Sequence, residues 1–142
     1  MTKIFTLLLI FSLVTIGLTA CEGEIAAIEN TTWVLSRYGT QEVNLQAVIE
    51  GTEITATFNS KDNQVTGSAG CNTYFGDYQI NKKELSISML AWTEMACLEP
   101  EGVMEQEQQY LSALQSAESY TIEDSELIIL CSDGWVLVFH AK

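Results

Sequence analysis

Residues 67–78 read GSAGCNTYFGDY. Three glycines, a cysteine, an Asn-Thr pair and three aromatic residues fall in one short stretch. It can be read as a phosphate-cradling loop, a catalytic cysteine or a covalent staple in a β-turn. A phosphate loop needs backbone N–H groups converging at a helix N-terminus, with a Gly-Lys-Ser/Thr step. Neither is present, since the stretch runs into a strand-like pattern. A cysteine nucleophile needs a thiolate, normally made by a nearby histidine. The only histidine, His140, lies close to the C-terminus at a strand end, where a rim position is expected.

The staple reading depends on the surrounding cysteines. Cys71 begins one irregular segment and Cys97 ends another, TEMAC (93–97). Cys131 sits in an apolar strand, where a free thiol behaves as a small hydrophobe. Pairing Cys71 with Cys97 would contribute about 3.5 kcal/mol in the chain-entropy picture. Cys131 then stays free.

Working outward, the flanking pattern is that of strands. EITATF (53–58) alternates Ile54, Ala56 and Phe58 with polar residues, the period of a half-buried strand. QVTGSAG (64–70) follows a polar turn, and the two runs suit a hairpin. TWVLSRY (32–38) precedes them. DYQI (77–80) and ELSISML (84–90) flank an Asn-Lys-Lys turn. After residue 99 the period changes. Val103, Met104, Tyr110, Leu111 and Leu114 fall on one helical face, with Pro100 near the start and Glu99, Glu101 and Glu105 at the N-terminal end. SYTIED (119–124), ELIILC (126–131) and GWVLVFH (134–140) return to strand, the last two apolar on both faces. The expected fold is α+β and mainly β: a strongly curved, barrel-like antiparallel sheet with one α-helix at about 100–117 packed on it.

The first residues read MTKIFTLLLIFSLVTIGLTAC. One lysine, an apolar run and small residues at its end define a secretory signal peptide. Leu18-Thr19-Ala20-Cys21 resembles the bacterial lipobox, which implies cleavage before Cys21 and acylation of that cysteine. The expected organisation is signal peptide 1–20, tether 21–29 from lipidated Cys21, and one domain over 30–142. More than one acyl chain gives stable membrane attachment. The expected location is the bacterial cell envelope, facing the periplasm. Glu22 occupies the place where aspartate would favour inner-membrane retention, so the outer membrane is favoured.

The chain carries 19 acidic and 6 basic residues, a formal net charge of −13. Such a surface disfavours nucleic acid and anionic lipid headgroups. Glu94, Glu99, Glu101 and Asp133 lack any calcium-loop spacing. No metal and no cofactor are expected.

The motifs together resemble the META domain family. Asn30-Thr31-Thr32-Trp33-Val34-Leu35 is similar to its opening. Gly70-Cys71-Asn72-Thr73-Tyr74 with Gly76 and Tyr78 is similar to its central motif. Thr93-Glu94-Met95-Ala96-Cys97 is similar to its second cysteine motif, and Met104–Glu107 with Tyr110, Leu111, Ala113 and Leu114 to its helix. The resemblance implies a compact antiparallel β fold with a helix, a Cys71–Cys97 pair and no established catalysis. Its members are linked to stress responses, motility or secretion, and drug tolerance.

Glu107 falls inside the apolar stripe of the helix. A buried carboxylate needs a partner, so it lies at a solvated edge, bonds to backbone, or pairs with Arg37, the only arginine. Tyr74, Phe75 and Tyr78 suit either the core or a recognition patch. With Glu107 and Arg37 they form the candidate binding surface. Trp33, Trp92 and Trp135 are expected in the core. The functional expectation is a monomeric, non-catalytic envelope lipoprotein. Its expected partners are the membrane, through Cys21, and an envelope protein or small ligand. The alternatives are a purely structural scaffold and a hydrolase, the latter without a readable nucleophile–base pair.

Overall fold

The computed structural model describes residues 28–40 and 45–142. The expected signal peptide and Cys21 lie outside the described residues, as does most of the expected tether. The exceptions are Ile28 and Glu29. Ile28 is buried, and its carbonyl accepts a hydrogen bond from the Trp33 indole at 2.9 Å. Glu29 bridges to Phe58 and accepts a 2.6 Å bond from the Tyr78 hydroxyl. The packed chain therefore begins before residue 30.

The described residues form nine strands: β1 (Thr32–Gly39), β2 (Gln46–Ala47), β3 (Thr55–Asn59), β4 (Gln64–Ser68), β5 (Thr73–Asn81), β6 (Glu84–Trp92), β7 (Ala117–Glu123), β8 (Glu126–Cys131) and β9 (Val136–Ala141). The helix α1 (Val103–Gln115) joins β6 to β7. From β3 onward each strand pairs antiparallel with the next. β9 returns to β1, with Leu35 opposite Phe139 and Gly39 opposite Val136. Eight strands thus close a barrel, and the short β2 flanks β1. Closure pairs most of the edges that a curved sheet would otherwise expose, though β6 meets β7 only at Glu84↔Ser119.

The alternation read from the sequence is the alternation of burial. Ile54, Ala56 and Phe58 are inside, as are Val65 and Ala69. β9 buries Val136 through Phe139 on both faces, whereas β8 alternates and leaves Leu130 exposed. Gly67, half-buried between Val65 and Ala69, is glycine for a steric reason: a Cβ there would lie 1.9 Å from the Thr55 carbonyl oxygen.

The helix is shorter than expected. It starts after Gly102, whose φ of 85° is left-handed and turns the chain. Pro100 therefore stands before the helix, and of the three glutamates only Glu105 lies in its first turn. The helix packs its stripe against the barrel interior, where Tyr110 and Leu114 are completely buried. Among the described residues no helix is long and apolar enough to cross a membrane.

Candidate functional site

The stretch 67–78 forms the end of β4, a turn and the start of β5. Gly70, with φ of 115°, adopts a backbone that other residues rarely tolerate and opens the turn. Cys71 is bonded to Cys97 across a Cα–Cα distance of 6.0 Å, as the sequence suggested. Cys71 is therefore not a nucleophile.

Asn72 is the centre of the turn and is almost fully buried. Its side-chain oxygen accepts from the Thr93 hydroxyl and the Met95 N–H, both at 2.7 Å. Its side-chain amide donates to Met95 O at 3.0 Å and to Glu107 Oε1 at 2.6 Å. Glu107, 4% exposed, accepts on Oε2 from the backbone N–H groups of Asn72 at 2.6 Å and Cys71 at 3.1 Å. A buried carboxylate is tolerable when several N–H donors replace its water. The helix, the turn and the segment 93–97 are thus joined at one point, and the disulfide closes the same loop covalently.

Of the alternatives open for Glu107, bonding to backbone is the one found, and pairing with Arg37 is not. Arg37 lies on the outer surface and donates to Glu126 at 3.1 and 3.2 Å. Side chains alternate across a strand: Trp33 and Leu35 of β1 are buried, whereas Arg37 follows the register shift between Leu35 and Arg37 and is exposed.

The aromatic question also resolves. Tyr74 and Tyr78 are core residues, not a surface patch, and Phe75 alone of the three is exposed, at 53%. Tyr74 donates to Thr55 O at 2.8 Å, and its oxygen lies 2.8 Å from that of Tyr110. Burial, the largest cause, pushes both phenols above their ordinary pKa. Tyr110 in turn stacks edge-on with Tyr74 and Phe139. Trp33 is buried and Trp135 stacks on Tyr38. Trp92 departs from expectation and is 46% exposed.

Cys131 is free and buried. Burial pushes its thiol up to about 12, only partly offset by a hydrogen bond with Ser116. It is an inert thiol. Among the described residues no group of acidic, histidine or cysteine side chains is placed to hold a metal ion.

Sequence reasoning missed two buried polar residues. One is Asn72. The other is Gln106, whose oxygen accepts from Ile49 N at 2.7 Å and whose amide donates to Thr52 at 3.0 Å. It also missed a groove of about 420 Å³ beside α1, lined by Trp92, Met104, Glu107, Gln108, Leu111 and Ser112, with Gln115 at its end.

These features define a class: a small closed antiparallel barrel with one interior-facing helix and a disulfide-stapled turn. The chain belongs to the META domain family, which it matches over residues 26–142. It is similar to a Burkholderia xenovorans protein solved by NMR, with a TM-score of 0.69 and 26% identity over 94% of this chain and 99% of that one. A crystal structure of a DUF4847 family protein from Bacteroides vulgatus shares the fold, with a TM-score of 0.56 and 17% identity over 80% of this chain and 93% of that one. Among curated proteins no significant relative is found.

Proposed function

We propose that the chain is a non-catalytic lipoprotein of the bacterial envelope, anchored through acylated Cys21. Within the META domain family we place it near the heat-inducible lipoprotein HslJ. Its role is that of a binding or accessory module in envelope stress tolerance or secretion.

The observation that carries this reading is a contrast in how side chains are used. Asn72, Glu107, Gln106, Tyr74 and Tyr110 are all engaged in hydrogen bonds that hold elements together. The apolar residues nearby are exposed instead: Trp92 at 46%, Met95 at 58% and Leu98 at 88%. Large apolar side chains clustered on a surface mark a place where something docks. The signal peptide and lipobox-like Leu18-Thr19-Ala20-Cys21 support the anchor and the envelope location.

Two measurements test it. Mass spectrometry of the non-reduced mature protein should show acylation at Cys21 and the Cys71–Cys97 bond together. Affinity capture from detergent-solubilised membranes should recover one stoichiometric partner. Recovery of bulk lipoproteins alone would favour the scaffold reading, and an unacylated chain would remove the anchor.

A further inference from the structure

The barrel is not closed equally all round. β5 and β6 pair along nearly their whole length, from Tyr74↔Trp92 to Asn81↔Glu84. On its other side β6 pairs with β7 only at Glu84↔Ser119, beside one bond from Tyr120 N to Lys83 O. Where β7 would continue along β6, the chain is helical instead, because α1 ends at Gln115 and β7 begins at Ala117. From Leu85 to Trp92 no other described strand pairs with that edge of β6.

The groove of about 420 Å³ follows the helix through Met104, Gln108, Leu111 and Gln115, with Trp92 of β6 also in its wall. Those helical positions recur at the spacing of one face. Met104 to Gln115 spans about 16 Å at 1.5 Å per residue. About five residues of extended chain cover the same distance. A strand edge beside a helix groove is the arrangement in which extended peptides are bound by strand addition: backbone hydrogen bonds give affinity and the groove takes alternate side chains.

Charge specifies the occupant. No lysine or arginine occurs from Glu84 to Ala141. Glu94 comes two residues after Trp92 of the wall, and Glu118, which lines a second pocket together with Glu84, comes three residues after Gln115. Glu107 is in the wall.

We propose that the β6 edge and the α1 groove bind an extended segment of another polypeptide, apolar at its centre and basic at both ends, as an added strand. The proposal rests on the binding-module reading above and gives it a site and a ligand chemistry.

The probe is a capped peptide of about nine residues, alternating valine and threonine at its centre with two lysines at each end. Titrated into the isotope-labelled folded domain, it should shift amide signals of Leu85–Trp92 and Met104–Gln115. Methylating alternate central peptide nitrogens, which deletes backbone donors but keeps the side chains, should weaken binding by about tenfold or more. Replacing the lysines by glutamates should abolish it. Trp92→Ala should weaken it by about tenfold, whereas Phe75→Ser, on an exposed residue outside the groove, should not, with melting curves confirming both variants fold. Equal binding of the methylated peptide, shifts elsewhere on the barrel, or no binding at all would overturn the inference. If that happens while membrane capture still yields a partner insensitive to Trp92→Ala, the site falls and the binding-module reading stands. If capture also yields nothing, both fall.

Discussion

Two glutamates in this molecule make ionic hydrogen bonds in opposite surroundings. Glu107 is buried and meets only neutral donors: two backbone N–H groups and one side-chain amide. Glu126 meets the formal positive charge of Arg37 at 3.1 Å, but the two side chains are 49% and 39% exposed. Charge alone would rank the second pair as the stronger. Surroundings reverse the order. Water already solvates both members of the surface pair, so little is gained by bringing them together. Glu107 is almost completely buried, and there each donor left without its acceptor costs its desolvation. The neutral cluster is therefore the one that holds the fold.

The largest expected loss comes from the covalent part of the same junction. Replacing Cys71 and Cys97 by serine should lower stability by about 3.5 kcal/mol, read from denaturant unfolding without reductant. A loss much below this would mean that the Asn72 bonds already restrain the loop. Glu107→Ala comes next. It strands Cys71 N, Asn72 N and the Asn72 amide, and should cost about 3 kcal/mol. In a domain of this size that is on the order of a 10 °C fall in melting temperature. If Glu107→Ala costs no more than Glu126→Ala, the contrast between the two sites is broken.

Much of this was legible in the sequence. The alternation in residues 53–70 gave the hairpin, and the helical stripe gave α1, because both faces of each element differ in solvation. The cysteine pairing was legible because Cys131 had a better use in an apolar strand. Glu107 stood out as a carboxylate in an apolar stripe, but its partners did not. They lie 35 and 36 residues away in the turn at Cys71 and Asn72, and no local period records such a contact. Arg37 was the tempting partner because it is the only arginine, yet its side chain faces outward. Trp92 was misjudged for a related reason. Its register opposite Tyr74 is that of a core residue, but the strand that would cover it leaves β6 after Glu84. Chain closure between β1 and β9 likewise depends on pairs about a hundred residues apart, from Trp33↔Ala141 to Gly39↔Val136.

The buried acids supply a prediction of intermediate size. The Cys131 thiol is raised from its ordinary 9.0 to about 12 by burial, and Tyr74 and Tyr110 are raised in the same direction. Each holds its proton more tightly in the folded chain than in the unfolded one. Their contribution is thus intact below pH 9 and falls as pH rises toward 12. Urea midpoints should decline across that window. Cys131→Val should delay the onset while leaving the later loss that belongs to the tyrosines. The same thiol should react with a disulfide reagent only when the domain unfolds.

The smallest effect should be at Arg37. Arg37→Ala should cost no more than about 1 kcal/mol, and raising salt to about 1 M, where screening acts within about 3 Å, should reduce that cost further. Glu107→Ala should keep its penalty in the same salt, since no mobile ion reaches a carboxylate closed in by the turn and the helix. Paired melting curves at low and high salt therefore separate the two sites even if their costs in dilute buffer overlap. A penalty at Glu107 that salt erodes as readily as the one at Arg37 would place its carboxylate in contact with water. The exposed wall of the groove, where Glu107 is also found, is the direction from which that water would come.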